Sequence, residues 1–327
     1  MAFRWAIIGP GGIARKFAAA VQAMDEAEVY AVVSRSADRA RSFCEAYEAK
    51  QAYDDVQQMV RDEHVDGVYI GTPHRFHHEQ ALACLRAGKA VLCEKPMTVN
   101  AEQTEALIET VRAQGVFLME AMWTRFLPIY AQVRQWLDED AIGPVRLVSS
   151  SFGIPAYYRM DPTHRLLDPA LAGGAILDMG IYPLAVTQDI YGSDPKAVQA
   201  LGQVAEGGAD LFSGATLDYG SNRVAQFMCT LLSTAPNRLF VHGDKGRIEL
   251  PASFFGTTRA TLYTEDEERT VTRPFGINGF EYQIQEVQAC VAAGRIESER
   301  MPLAQSLGSA RVMDEIRRQI GARYAFE

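Results

Sequence analysis

The 327-residue sequence lacks features that define several whole classes of protein. Its five cysteines are an odd number with no C-x-x-C spacing, which favours reduced, buried thiols over a disulfide scaffold or a zinc ribbon. No apolar run approaches the ~20 residues of a membrane span, and the first residues lack a signal-peptide cleavage pattern. We therefore expect a cytoplasmic protein with no membrane partner.

Positive charge is also scarce. Lys and Arg number 32 against 41 Asp and Glu, for a net charge of −9. Because nucleic acids are bound mostly through clustered Lys and Arg, we expect no nucleic-acid partner. The hydrophobic fraction of 48% is that of an ordinary globular protein, and the length predicts two domains. No low-complexity segment separates them.

The first third of the chain alternates short apolar runs with helical periodicity. Strand patterns lie at 3–8, 29–34, 65–70, 90–93 and 116–119, and helical patterns lie between most of them. Strands alternating with helices predict parallel β-α-β units and a doubly wound sheet. We place a Rossmann dinucleotide-binding domain at 1–122.

The pattern changes from residue 123 onward. Helical patterns near 127–137 and 174–190 precede seven short strand patterns, and two further helical patterns close the chain. We expect an α+β domain at 123–327 with a large, mostly antiparallel open sheet. Few helices are available to cover it, so one face stays open, which predicts a homodimer. Phe227 and Leu231 fit either face.

A glycine-rich segment follows the first predicted strand and opens the first helix. The segment has the form G-x-G-x-x-A, with Gly9, Gly11, Gly12, Ile13 and Ala14 at its positions. Glycines allow a tight turn and a close approach of the backbone to a pyrophosphate, which the N–H groups of the helix then meet. This strand–turn–helix context favours a dinucleotide site over a plain tight turn.

The end of the second strand indicates which dinucleotide binds. NAD sites usually carry an acidic residue there, whereas a nearby Arg accommodates the 2′-phosphate of NADP. This chain has Ser34 and Arg35 at that place, Arg39 one helical turn later, and no acid before Asp38. The segment predicts NADP, with NAD as the alternative.

A second group of candidates follows the 65–70 strand, where the nicotinamide half of the cofactor would pass. We assign Thr72, Pro73, His74 and His77 to this half. Three histidines here, including His78, invite comparison with a metal site. No cysteine or acidic cluster converges on them, so we expect no metal and instead a helix N-cap or surface position.

Three further residues have side chains suited to chemistry. Lys95, in Glu94-Lys95-Pro96, follows a buried strand at the edge where α/β sheets place their ligands, which favours a catalytic lysine over a solvated one. Glu94 is assigned to the cofactor. Asp178 and Tyr182 have the i, i+4 spacing of one helix face, where they would anchor substrate and transfer a proton. A salt-bridged aspartate and a core tyrosine fit that spacing equally well.

Several segments together resemble the glucose–fructose oxidoreductase / inositol dehydrogenase (Gfo/Idh/MocA) family over nearly the whole chain. They are GPGGIA at 9–14, TPHRFH at 72–77, EKP at 94–96 and GGAILDMGIYPL at 173–184. MEAMWTRFLP at 119–128 and the closing MDEIRRQIGARYAFE at 313–327 resemble the dimeric dihydrodiol dehydrogenase and D-xylose dehydrogenase branch. The EKP segment and the glycine–aspartate–tyrosine segment are specific in combination, and neither is specific alone.

This resemblance implies an NADP-dependent oxidoreductase acting on the carbinol carbon of a cyclic polyol, such as an aldose or a trans-dihydrodiol. It makes Lys95 the lysine beside the nicotinamide, Asp178 the substrate-binding acid and Tyr182 the proton-transfer residue. The residues implied to line the substrate are Trp123, Arg125 and Phe152. Many members carry His where this chain has Tyr182, which agrees with the dihydrodiol and xylose branch. We expect Lys95 and Tyr182 to meet between the domains.

Two other function classes remain open at this stage. One is a non-catalytic NADP-binding regulator on the same scaffold, which the complete set of Lys95, Asp178 and Tyr182 disfavours. The other is a glycoside hydrolase that uses tightly held NAD for transient oxidation. Net NADPH production distinguishes the dehydrogenase from both alternatives.

Overall fold

The structure is a computed structural model that describes residues 2–161 and 163–327. The chain forms two compact units. The first comprises the chain up to Trp123 together with Gly276–Ser306, and the second comprises Thr124–Phe275 and Leu307–Glu327. The sequence analysis placed all of 123–327 in one domain, whereas the contacts assign the segment 276–306 to the first unit. A helical segment thus returns to the first unit after the second sheet is complete.

The first unit is built on a parallel sheet of six strands in the order β3-β2-β1-β4-β5-β6. The strands are β1 Phe3–Ile8, β2 Ala27–Val33, β3 Gln51–Tyr53, β4 Gly67–Ile70, β5 Ala90–Glu94 and β6 Leu118–Ala121. Its first five helices are α1 Gly12–Gln22, α2 Ala37–Tyr47, α3 Val56–Met59, α4 His77–Arg86 and α5 Ala101–Gln114. The predicted Rossmann architecture is confirmed. The short β3 and α3 were not predicted.

Helix starts in this unit follow local side-chain chemistry. The side chain of Asn100 accepts a hydrogen bond from the Gln103 backbone N–H at 3.0 Å, so α5 begins where the sequence predicts. Ser36 caps α2 in the same way through the Arg39 N–H. These caps fix the helices at the carboxyl edge of the sheet, where the candidate cofactor residues lie.

The second unit contains an eight-stranded sheet in the order β14-β13-β12-β11-β7-β10-β9-β8. The strands are β7 Val145–Gly153, β8 Ala197–Val204, β9 Asp210–Gly220, β10 Arg223–Thr230, β11 Leu239–Gly243, β12 Gly246–Leu250, β13 Arg259–Thr264 and β14 Glu268–Thr272. Its helices are α6 Pro128–Asp138, α7 Ala156–Arg159 and α8 Ile181–Tyr191. Helix α9 Glu281–Ala292 belongs to the first unit, and most of α10 Leu303–Ile320 belongs to the second. The predicted mostly antiparallel sheet is confirmed, although β7, which pairs in parallel with β10, was not predicted.

The two faces of this sheet differ in burial. Phe227, with 3% of its surface exposed, points to the buried face, and Leu231 just beyond β10 is fully buried. On the opposite face, Leu201 of β8 is 81% exposed, and Met228 and Phe240 are partly exposed. The sequence left the orientation of Phe227 and Leu231 open, and the structure places both in the core.

A search of the described helices for one long and apolar enough to cross a membrane finds none. Four of the cysteines are buried, and Cys44 is partly exposed. Burial raises the pKa of the Cys84 thiol to about 12 and that of the Cys290 thiol to about 11. These thiols behave as small apolar side chains, in line with their predicted place in the core.

Candidate active site

The glycine turn after β1 is shaped by close backbone approach. Gly9 has a φ of +86°, and a Cβ there would lie 2.6 Å from the Thr72 side chain and 3.0 Å from its backbone nitrogen. Only glycine fits both the conformation and the contact. The turn therefore lies directly against Thr72, the first residue assigned to the nicotinamide half.

Helix α1 starts from this turn with its first N–H groups uncapped by any side chain among the described residues. Its N-cap, Gly11, has no side chain to offer, and a Cβ on Gly12 would meet nothing within 4 Å. Ile13 is 40% exposed, while Ala14 is buried against the sheet. An open space before a row of helix N–H groups fits a pyrophosphate.

The segment after β2 carries exposed positive charge. Arg35 and Arg39 are both exposed, and the Arg35 guanidinium lies 5.6 Å from the centre of the Phe76 ring. The Ser34 hydroxyl accepts a hydrogen bond from Ser36 N at 3.3 Å, which closes a tight turn under Arg35. The nearest acid, Asp38, is paired with Arg41. The turn thus presents two cations and a hydroxyl at the edge where a 2′-phosphate would bind.

Two of the three histidines after β4, His74 and His77, are buried, and His78 is partly exposed. His77 is fully buried, its Nε2 lies 2.8 Å from the Thr72 carbonyl oxygen, and its Nδ1 lies 2.9 Å from the Pro96 carbonyl oxygen. His74 is 6% exposed, so the predicted N-cap or surface position is wrong for both residues. The buried ring lies between these two carbonyl oxygens and joins the 72–77 segment to the segment that carries Lys95. Among the described residues, no group of three or more His, Cys, Asp or Glu converges as a metal site would require.

Lys95 follows β5 in a segment that is held from several sides. The Glu94 carboxylate accepts hydrogen bonds from the Tyr69 hydroxyl at 2.8 Å and from the Lys95 backbone N–H at 3.2 Å. The Lys95–Pro96 peptide bond is cis, and Lys95 itself is partly exposed beside buried neighbours. The sequence predicted this position at the carboxyl edge of the sheet, and the structure places it there.

Trp123 is only 8% exposed and lies in a cationic and aromatic cluster that the sequence analysis missed. The Lys16 ammonium lies 3.8 Å from the Trp123 ring centre and 4.6 Å from that of Phe280. Burial lowers the pKa of Lys16, and the charges of Glu281 and Glu94 oppose that shift. Lys16 lies on α1, the helix that begins at the glycine turn, and contacts two aromatic rings. It therefore connects the candidate cofactor residues of this unit to Trp123.

In the second unit, Asp178 and Tyr182 lie on either side of a change in helix geometry. Residues Ile176–Gly180 form a π-helical turn, and the regular helix α8 begins only at Ile181. The sequence predicted a continuous helix over 174–190. Asp178 accepts a hydrogen bond from Arg165, half-exposed in the preceding loop, at 3.0 Å. A π turn often marks a functional site, and this one carries Asp178 and ends two residues before Tyr182.

Tyr182 lies in an aromatic cluster. Its ring centre is 5.1 Å from that of Phe255 and 6.0 Å from that of Phe152, and these two phenylalanines stack at 4.6 Å. Tyr182 is 9% exposed and Phe152 is 8% exposed. The structure thus brings Phe152 and Tyr182 together, and Asp178 precedes Tyr182 by four residues. Phe255 was missed because nothing local in its sequence marks it.

Arg125 is buried and bound to the helix that carries Tyr182. It is 6% exposed, and its guanidinium donates through Nε at 3.1 Å and through Nη2 to the carbonyl oxygen of Ala185, in the helix that carries Tyr182. Its position within the second unit therefore supports α8.

Comparisons with known proteins fit this arrangement. A model of an oxidoreductase family with an NAD-binding Rossmann fold matches residues 3–122, and a model of the GFO/IDH/MocA C-terminal domain matches residues 130–249. The trans-1,2-dihydrobenzene-1,2-diol dehydrogenase of Xenopus tropicalis is 33% identical over 333 aligned positions, which cover 99% of this chain and 100% of that protein.

Two solved structures are similar over the whole chain. An aldose-aldose oxidoreductase from Caulobacter crescentus, complexed with glycerol, has a TM-score of 0.89 at 26% identity and covers 98% of this chain and 97% of that one. A 3-ketoreductase from Actinomadura kijaniata, in complex with NADP and TDP-benzene, has a TM-score of 0.85 at 26% identity and covers 98% of both chains.

Proposed function

Because the chain belongs to the Gfo/Idh/MocA oxidoreductase family, we propose that it transfers a hydride between NADP and the carbinol carbon of a cyclic polyol. It is a dehydrogenase that acts on CH–OH groups. One relative is named for a trans-dihydrodiol and one structural neighbour for aldoses. Both kinds of substrate carry neighbouring hydroxyls on a ring, which is the substrate class that we propose.

The observation that carries this proposal is the setting of Tyr182. An acid at Asp178, a phenol at Tyr182 and the stacked rings of Phe152 and Phe255 occupy one region of the second unit. Aromatic rings pack against the apolar face of a sugar or diol ring, and a carboxylate holds a hydroxyl. This combination suits a hydroxylated ring better than a charged or extended substrate.

The residues of the first unit fit a dinucleotide. When bound, NADP supplies a nicotinamide that accepts or returns a hydride. We propose that the glycine turn and the start of α1 hold the pyrophosphate, while Ser34, Arg35 and Arg39 hold the 2′-phosphate. The residues proposed for the nicotinamide half are Thr72, Pro73, His74, His77, Glu94 and Lys95. The NADP-bound structural neighbour supports this choice, and NAD is the alternative nucleotide.

The catalytic roles follow from the chemistry of alcohol oxidation. As the hydride leaves, the substrate hydroxyl loses its proton, and we propose that Tyr182 in its phenolate form accepts that proton and becomes the neutral phenol. The ammonium of Lys95 stabilises the negative charge that develops on the oxygen. Asp178 holds the adjacent hydroxyl, and Trp123 and Phe152 flank the ring.

We also propose that the protein is a cytoplasmic homodimer that associates through the open face of the eight-stranded sheet. Apolar side chains on that face support the assembly, since Leu201 is exposed and Phe240 is partly exposed. An apolar patch of this kind usually marks an interface.

One assay tests the proposed reaction directly. Purified protein is incubated with NADP and with aldoses, inositols, trans-dihydrodiols and glycosides in turn, and both NADPH formation and product are measured. Net NADPH in step with oxidised polyol supports the proposal. Glycoside cleavage with no net cofactor change would identify a hydrolase instead. Tight NADP binding without turnover on any substrate would identify a regulator, and either result would overturn the dehydrogenase.

A further inference from the structure

A short turn precedes the π-helical turn that carries Asp178, and we call Gly173–Ala175 the diglycine turn. The Gly174 carbonyl accepts a hydrogen bond from the Asp178 backbone N–H at 3.4 Å. Gly174 has a φ of +138°, which L side chains rarely adopt. The position of this turn therefore sets where the backbone of Asp178 lies, and Tyr182 follows one turn later.

The diglycine turn is held first by Asp210, at the start of β9. One carboxylate oxygen of Asp210 accepts hydrogen bonds from Ile176 N at 2.9 Å and from the Ser213 hydroxyl at 2.6 Å. The other oxygen, Oδ1, lies where a Cβ on Gly174 would be only 2.3 Å away. Asp210 has no solvent exposure, and within the described residues Oδ1 has no hydrogen-bond partner.

The diglycine turn is held independently by the C-terminal segment. The hydroxyl of Tyr324, which is 3% exposed, donates a hydrogen bond to the Gly173 carbonyl at 2.7 Å. The Tyr324 ring lies beside the buried Arg317 guanidinium, 5.1 Å away, and Arg317 is bound to both carboxylate oxygens of Glu327 at 2.8 and 2.9 Å. A phenol and a carboxylate from distant parts of the second unit thus bind the two ends of this short segment, at Gly173 and at Ile176.

Burial disfavours the charged form of a carboxylate, so a fully buried carboxylate is an energetically unfavourable acceptor for a backbone N–H. An amide or a hydroxyl would accept the same hydrogen bond at lower cost. The Asp210 carboxylate binds the start of the segment that carries Asp178 and Tyr182, and this position indicates a role for its charged form. From this geometry we propose that Asp210, assisted by Tyr324, is a positioning residue that sets Asp178 and Tyr182 for catalysis. This inference rests on the proposed function.

The proposal includes a dependence on pH. Burial raises the pKa of Asp210 to about 6, partly offset by the Ser213 and Ile176 hydrogen bonds. The ionisable groups near this carboxyl are Arg317 of α10, Tyr324 of the C-terminal segment and Cys229 of β10. As the pH falls through about 6, the carboxylate takes up a proton, becomes a weaker acceptor and loosens its hold on the diglycine turn.

The test compares Asp210→Asn, Tyr324→Phe and Tyr182→Phe with the wild type. Turnover, KM for the best polyol and NADP affinity are measured from pH 5 to pH 9. We expect Asp210→Asn to lower kcat/KM by roughly 10–100-fold, since a small displacement of catalytic groups has effects of this order. NADP affinity stays unchanged, because its proposed residues lie in the other unit. The fall in wild-type activity below about pH 6 disappears in Asp210→Asn.

Tyr219→Phe is the matched control. Tyr219 lies on the same strand as Asp210, is equally buried and has a hydroxyl without a partner among the described residues. This variant should retain wild-type activity and the same fall in activity below about pH 6, which we call the acid limb of the pH profile. Tyr324→Phe removes a single hydroxyl and, like Asp210→Asn, should lower kcat/KM. If Asp210→Asn fails to fold, the kcat/KM of Tyr324→Phe tests the positioning role.

The outcomes separate this inference from the proposed function. Suppose that Tyr182→Phe is impaired, while Asp210→Asn keeps the wild-type kcat/KM and an unchanged acid limb. This result would overturn the positioning role alone. Wild-type turnover in Tyr182→Phe would overturn the proposed function, and the positioning role with it. Equal losses in Asp210→Asn and Tyr219→Phe would show a general effect of core disruption and would also contradict the inference.

Discussion

The ammonium group of Lys16 lies 3.8 Å from the centre of the Trp123 ring, so the helix that begins at the glycine turn also supports an aromatic side chain proposed to flank the substrate. A cation over an indole ring contributes about 0.5–2 kcal/mol. Lys16→Met keeps most of the side-chain volume and removes the charge. We expect KM for the polyol to rise by roughly 2–30-fold, with a smaller change in kcat.

Steady-state kinetics at saturating NADP measure this effect. Lys50→Met is the control, since Lys50 is an exposed lysine of the same unit, with its ammonium 5.7 Å from the Tyr30 ring centre and paired with Glu28. Lys16→Arg should restore the low KM, because a guanidinium also stacks on aromatic rings. An unchanged KM in Lys16→Met would show that this contact does not support the substrate site.

Cofactor choice should depend on Arg35. A hydrogen bond between a guanidinium and a phosphate contributes about 1.5–3 kcal/mol. Arg35→Ala should therefore weaken NADP binding by roughly tenfold or more and leave NAD binding nearly unchanged. Calorimetric titration with each nucleotide measures the two dissociation constants.

Arg41→Ala is the matched control for that experiment, because Arg41 lies on α2, the helix that follows Arg35, and is paired with Asp38. It should bind both nucleotides like the wild type. Equal losses of NADP and NAD binding in Arg35→Ala, or a wild-type preference for NAD, would exclude a 2′-phosphate site at this turn.

The proposed proton transfer gives a third prediction. Tyr182→Phe removes only the hydroxyl and should lower kcat by about 10²–10⁴, with NADP affinity retained. Lys95→Met should cost at least as much. If the two groups act in one step, the double variant should lose less than the product of the single losses.

Single-turnover and steady-state measurements of NADPH formation supply these rates. Tyr191→Phe serves as the control, since it removes the 2.9 Å hydrogen bond to the Val224 carbonyl at the far end of the same helix. Turnover close to wild type in Tyr182→Phe would make Tyr182 a packing residue of the aromatic cluster.

The oligomeric state should depend on the open face of the eight-stranded sheet. Light scattering of the wild type should give twice the chain mass of 36.1 kDa. Leu201→Arg places a charge on a residue that is 81% exposed on that face and should shift the mass toward the monomer. Tyr158→Arg changes a 73% exposed aromatic residue outside the sheet and should leave the mass unchanged. A wild-type mass that remains that of one chain at every concentration would contradict the homodimer.

The sequence predicted the features that depend on local order. The short apolar run at 3–8 placed β1, the helical pattern at 37–47 placed α2, and the capping pattern at Asn100 placed the start of α5. It missed β7, whose centre is a run of three serines that are only partly buried and so lack a strand's apolar signal. It also missed β3, which has only three residues.

Parts of the candidate site depend on contacts that no local pattern encodes. Tyr324 and Gly173 are 151 positions apart, and Asp210 and Ile176 are 34 apart. Phe255 reaches Tyr182 only through the packing of the second unit. Residue type and spacing indicate candidate acids, phenols and lysines, whereas the groups that hold them in place come from tertiary structure.

Because of the π-helical turn at Ile176–Gly180, the orientation of the proposed substrate residues depends on the number of residues in this segment. A π turn is equivalent to one residue inserted into an α-helix, and successive α-helical residues differ by about 100° around the axis. Deleting one residue from the turn would restore a regular helix and rotate the preceding side chains by about that angle relative to α8. A deletion at Met179 or Gly180 would therefore change the angle between Asp178 and Tyr182 around the helix axis while leaving both of these side chains present. We expect insertions and deletions between the diglycine turn and Tyr182 to be tolerated less well than substitutions.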